Sequence, residues 1–87
     1  MAETLAGGWT PWRDLSAEDL NVFHEAMQGF VGVKYTPEKV STQVVAGTNY
    51  RFRCEAAPLT HPIIYTAVVQ IYAPLDGKPY ITHISPV

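Results

Sequence analysis

The sequence has one cysteine, Cys54, among 87 residues. An internal disulfide and a four-cysteine zinc site are therefore excluded, and the fold must stand on packing alone. Charge is also scarce. Asp, Glu, Lys and Arg make up 16% of the chain and leave a formal net charge of -2. There is no basic stripe to neutralise phosphates, so no nucleic-acid partner is expected. There is no polybasic amphipathic segment and no apolar run of bilayer-spanning length, so no membrane is expected either. The first residues, MAETLAGGW, lack the charged and apolar regions of a signal peptide. With the lone thiol, this favours an intracellular setting; a secreted one follows if a signal has been removed. His24, His61 and His83 are far apart and match no metal-ligand spacing, so no metal and no cofactor is expected. No phosphate-cradling glycine loop, nucleophile elbow or paired-carboxylate pattern is present.

What remains is a normal, slightly apolar globular composition. Hydrophobic residues are 47% of the chain, and the aromatics are Trp 2, Tyr 5 and Phe 3. That supplies a core for one small domain covering residues 1–87 and leaves no room for a second. Residues 1–8 have few apolar groups and contain Gly7-Gly8, which reads as a flexible arm. Trp9 to Trp12 read as a short edge strand, with Pro11 limiting its pairing.

Helix signals begin at Ser16. Ser16-Ala17-Glu18-Asp19 is a capping-box-like start, with Leu15 and Leu20 at the spacing of a hydrophobic staple. Leu20, Phe23, Met27 and Phe30 then form one apolar stripe, and Gly29 and Gly32 stop the element. A helix of about three turns, packed by that stripe on a sheet, is predicted.

After Gly32 the period changes to two. Residues 38–45 alternate weakly and reach a turn at Ala46-Gly47, with Pro37 at a strand start or bulge. Residues 48–57 alternate cleanly. Tyr50, Phe52, Cys54 and Ala56 face the core, while Asn49, Arg51, Arg53 and Glu55 form a solvated face. Cys54 thus reads as an inert core thiol, not as a nucleophile. Residues 63–73 form a long strand, residues 74–79 a turn and residues 80–84 a last strand. The fold class is α+β, one helix on a four- to five-stranded antiparallel sheet.

The apolar turn is unusual, because turns are normally polar. Two readings are open for Val44-Val45-Ala46-Gly47. Either the valines finish a strand and only Ala46-Gly47 turn, or an apolar tip is exposed and invites a partner. Gly7-Gly8 and Leu75-Asp76-Gly77 likewise fit plain tail and turn chemistry.

Gln43-Val44-Val45-Ala46-Gly47, extended by Thr48-Asn49-Tyr50, resembles the QVVAG motif of the cystatins, inhibitors of papain-like cysteine proteases. Gly7-Gly8-Trp9 is similar to the plant-cystatin start. Residues 74–80 resemble the second hairpin of stefins, where leucine and proline replace a tryptophan. The order of arm, helix, hairpin, long strand and second hairpin covers almost the whole chain.

The resemblance implies a cystatin-like fold and a reversible, tight-binding inhibitor with no chemistry of its own. A wedge made from the arm and two hairpin loops would fill the protease cleft. Leu5 and Ala6 would enter apolar substrate pockets. Gly7 or Gly8, preferably Gly8, would let the arm bend. Val44, Val45 and Ala46 would be buried at the wedge tip, each valine contributing about 1 to 2 kcal/mol. Gly47 would allow close approach, and Gln43 would hydrogen-bond across the hairpin. Leu75 and Asp76 would supply the second loop, Asp76 being a departure from the apolar contact usual there. The absence of disulfides favours a stefin-like or plant-like type. The resemblance also implies a monomer with a minor domain-swapped dimer, favoured by strain near Val45. Two alternatives are a non-inhibitory cystatin-fold interaction module and a small enzyme using Cys54 or a histidine.

Overall fold

The computed structural model describes residues 8–87. Leu5, Ala6 and Gly7 lie outside the described residues. The elements run α1 (Ala17–Ala26), β1 (Val33–Val45), β2 (Gly47–Pro58), β3 (Tyr65–Ala73) and β4 (Tyr80–Pro86). The four strands form one antiparallel sheet in the order β1-β2-β3-β4, so each connection joins neighbours. The helix covers one face of it.

The helix starts where its capping pattern demands. The Asp19 amide donates to Ser16 Oγ at 3.1 Å, and the Ser16 amide donates to Asp19 Oδ2 at 2.9 Å. Both halves of the capping box are present. Asp19 does a second job that the helix-start reading omits. It is buried, and it accepts from Arg13 Nη1 at 2.6 Å and Nη2 at 3.1 Å, a two-pronged ion pair. Burial pushes the Asp19 pKa up, but the bonds from Arg13 and Ser16 outweigh it and hold the carboxyl below its ordinary value. A depressed native pKa stabilises the fold above the unfolded-state value of about 3.9, and that stabilisation is lost as pH falls through the native pKa. Asp19→Ala is expected to cost about 2 kcal/mol at pH 7. The gap to wild type in urea midpoint should narrow as pH falls below the ordinary carboxylate range, because the native carboxyl is then protonated; a gap that does not change with pH would rule out the charged pair as its source.

The helix is shorter than its apolar stripe. It ends at Ala26 with Met27 as C-cap. Phe30 lies beyond it, 40% exposed, with its ring 5.7 Å from that of Tyr35. Phe23 is the anchor, edge-on to Phe52 at 5.0 Å. The core comprises Phe23, Val40, Phe52, Cys54, Val69 and Ile71, with Val22, Ala26 and Met27 packed against it and Leu20 only half-buried. Phe23 and Met27 of the predicted stripe thus face the core, Val22 and Ala26 join them, and Leu20 and Phe30 lie outside the core cluster.

β2 matches its alternating pattern. Phe52, Cys54 and Ala56 are wholly buried while Arg53 and Glu55 are exposed. Burial pushes the Cys54 thiol up to about 12, with Glu38 adding to the shift. A neutral thiol in an apolar core is no nucleophile.

β1 begins at Val33, five residues before the predicted start, because a bulge hides its alternation. Pro37 pairs with Cys54 and Lys39 with Arg53, which leaves Glu38 as the extra residue. Tyr35 and Pro37 before the bulge, and Val40 and Thr42 after it, thus lie opposite Ala56, Cys54, Phe52 and Tyr50. One inserted residue moves the apolar positions from odd to even and keeps them on one face. β3 starts at Tyr65, not Ile63. The ladder from β2 stops at the Ala56–Tyr65 pair, so Ile63 and Ile64 lack a cross-strand partner and are exposed.

Residues 9–13 make two separate bridges to β1, Trp9–Gln43 and Arg13–Val40, in place of the continuous edge strand predicted at Trp9–Trp12. The Thr10 amide donates to Thr42 O at 2.8 Å, and Ser41 Oγ donates to Thr10 O at 2.6 Å. Lys39 Nζ lies 2.5 Å from Asp14 Oδ1. The chain before the helix is thereby tied along the outer edge of β1.

Candidate functional site

The β1–β2 hairpin turns in the least space available. Val45 pairs with Gly47, so Ala46 alone connects the strands. Both readings of the apolar turn hold in part. Val44 and Val45 are strand residues, yet Val44 is 56% exposed, Val45 37%, and Ala46 is exposed as well. Three consecutive apolar residues thus project into water, although the molecule has a core in which to bury such groups.

Gly47 is required twice over. Its φ is +100°, the left-handed region that disfavours side chains. A Cβ there would also fall 2.5 Å from Ala73 O and 3.1 Å from Pro74 Cα. The hairpin therefore rests against the end of β3, where the second loop begins. No non-glycine residue among those described has positive φ, so the turn's special conformation is carried by Gly47 and not by Val45.

Two further bonds stiffen the tip. Asn49 Nδ2 donates to Gln43 Oε1 at 2.8 Å, the cross-hairpin bond expected of Gln43. The Tyr72 hydroxyl on β3 donates to Ala46 O, and the Tyr72 ring meets Tyr80 edge-on at 5.8 Å. Tyr72 thus joins the two hairpins. Its role escapes sequence reading because the bond spans 26 residues.

The second loop, residues 74–79, lies between β3 and β4. Leu75 is 81% exposed, and Asp76 and Lys78 are exposed beside it. A carboxylate and an ammonium thus follow the apolar Leu75 in the same loop. Gly8 is exposed and immediately precedes Trp9, which bridges to Gln43 beside the first tip. Gly8, residues 44–46 and residues 75–76 are therefore brought to one end of an elongated molecule, 46 × 26 × 21 Å.

This end presents exposed apolar side chains from both hairpins. Among the described residues, no three His, Cys, Asp or Glu side chains come together as metal ligands. Cys54 is in the core, away from the tip. No helix among the described residues is long and apolar enough to cross a membrane.

One strand face differs from its prediction. Arg53 is exposed, but Arg51 is not simply solvated. Its guanidinium lies 3.9 Å from the Trp9 ring centroid and 5.5 Å from that of Trp12. Ser41, opposite Arg51 in the register, is wholly buried. The tryptophans thus fold back over the sheet face that the alternation of β2 assigned to water.

No protein-family model matches the chain, and no curated protein matches it significantly. Among solved structures, the chain is similar to a salivary cystatin from the soft tick Ornithodoros moubata. The TM-score is 0.67 at 27% sequence identity, over 95% of this chain and 99% of the tick protein. The fold is cystatin-like, one helix on a four-stranded antiparallel sheet, and the family resemblance of the Gln43–Gly47 motif agrees with it.

Proposed function

We propose that this cystatin-like chain, acting as one domain over residues 1–87, is a reversible, tight-binding inhibitor of papain-like cysteine proteases. The observation that carries this reading is the convergence of Gly8, the exposed Val44-Val45-Ala46 tip and the Leu75-Asp76 loop at one end. Such a wedge enters the active-site cleft and blocks it without offering a scissile bond. Val44, Val45 and Ala46 lose water on docking and drive association. Leu5 and Ala6 take the apolar substrate pockets beside the tip, and Gly7 or Gly8 lets the arm bend. The hairpin is already fixed by Asn49 and Tyr72, so little conformational freedom is lost on binding.

The fold supports an inhibitor and not an enzyme. Of the two cystatin types without disulfides, stefin-like or plant-like, the Leu75 loop favours the stefin-like one. The working form is a monomer. A minor domain-swapped dimer, with its first hairpin opened, does not inhibit. The alternative of a non-inhibitory interaction module is favoured by one observation, the exposed Asp76 carboxylate in the second loop.

Titrating papain with the protein, against a fluorogenic peptide, tests the reading. The expected result is stoichiometric loss of activity with the added protein recovered uncleaved. Full papain activity at micromolar folded protein would overturn it and leave the interaction module.

A further inference from the structure

Arg51 is the one described residue with a buried polar side-chain atom, its Nε, that has no hydrogen-bond partner. Such an atom is costly to keep. What offsets it is aromatic. The Arg51 guanidinium lies over Trp9 at 3.9 Å and near Trp12 at 5.5 Å, within range of attraction to both ring faces. These are the only tryptophans of the chain. Both stand in the segment that leads from Gly8 to the helix, 39 or more residues before Arg51 in sequence.

The backbone of that segment is held to β1 by two bridges and by Thr10. Its first side chain, Trp9, has the Arg51 cation as its described aromatic-face contact. From Trp9 the chain passes directly to Gly8, next to the first hairpin. Losing the cation would free the Trp9 ring, the side chain next to Gly8.

We infer that Arg51 is a positioning residue for the N-terminal arm: its guanidinium, seated against Trp9 and Trp12, fixes Gly8, the point where residues 1–7 join, beside the Val44–Ala46 tip. The inference rests on the inhibitor reading and deepens it. Arg51 itself need not touch the protease, because it acts through Trp9.

The test is a double-mutant cycle between Arg51→Met and removal of residues 1–7, read as the dissociation constant for papain. In the wild-type background the truncation is expected to weaken inhibition about tenfold, the scale of burying one leucine side chain. In the Arg51→Met background the same truncation should cost less than about threefold. A merely structural role for Arg51 would leave the truncation penalty unchanged, and equal penalties in the two backgrounds would overturn the inference. Arg51→Lys, which keeps a cation for the rings but not the planar guanidinium, should restore part of the coupling.

A second measurement needs no protease. Amide relaxation in the free protein should show Gly8 and Trp9 gaining fast motion in Arg51→Met while residues of β2 and β3 do not. If Gly8 and Trp9 stay as rigid as in wild type, the inference fails. If papain is not inhibited by the wild-type protein at all, the inhibitor reading fails with it, and the relaxation result alone decides whether Arg51 orders the segment.

Discussion

Val44→Asp is expected to weaken papain inhibition by at least about a hundredfold while moving the melting temperature by no more than a few degrees. Val44 is 56% exposed in the free protein, so its methyl groups contribute little to the core. In a cleft they would be buried, and losing that burial costs about 1 kcal/mol. The carboxylate adds a larger penalty, because it must leave water without a partner, at about 2 kcal/mol or more. The sum of about 3 kcal/mol is roughly a hundredfold in affinity, expressed mostly as faster dissociation. Val45→Asp should act in the same direction. Its side chain is 37% exposed and loses less new surface on docking. Stoichiometric inhibition by Val44→Asp would remove the hairpin from the interface and sink the wedge mechanism.

Gly47→Ala carries the largest expected effect on the fold. It combines a φ of +100° with a Cβ placed 2.5 Å from a backbone oxygen, Ala73 O, which cannot swing aside as a side chain could. The left-handed conformation alone costs about 1 to 2 kcal/mol. The clash adds to it, and about 3 kcal/mol in total lowers the melting temperature by roughly 12 to 24 °C in a domain of this size. Gly77→Ala is the internal control. Gly77 has a φ of +112°, but its added Cβ would meet Pro74 Cγ at 3.6 Å, an ordinary contact. It should cost about 1 kcal/mol, the conformational part alone. Thermal melts of the two variants measure the difference. Equal losses would mean that the contact between the first hairpin and the end of β3 contributes nothing.

How far these features can be read without coordinates depends on how far their partners lie along the chain. Ser16 and Asp19 are three residues apart, and the capping box they announce is present in full. The alternation of Tyr50 to Ala56 is local too, and β2 follows it. β1 defeats the same method at Glu38, because one inserted residue reverses the parity of everything after it. Ile63 and Ile64 look like strand residues by composition, but strand status needs a partner, and β2 has already ended its pairing with β3. The motif residues Gln43 to Gly47 are legible as a resemblance. What makes them a rigid tip, Tyr72 reaching Ala46 and Ala73 blocking a side chain at position 47, is not. Arg51 is the plainest case. Its alternation assigns it to solvent, and only two tryptophans from the far end of the sequence take it out. Leu5, Ala6 and Gly7 fall outside the described residues, so their part in the wedge rests on the resemblance and on the placement of Gly8.

The end of β4 carries a practical consequence. The Val87 amide donates to Thr66 O at 2.9 Å, which pins it near the start of β3. The turn of the first hairpin lies near Ala73, at the other end of the same strand. Thr66 and Ala73 are separated by about 23 Å at the usual rise of a strand. Anything joined after Val87, whether a dye, a surface linker or a further stretch of polypeptide, would hang from the handle of the molecule and not from its blade. A chain tethered there should keep its working end free, as an immobilised capture reagent requires.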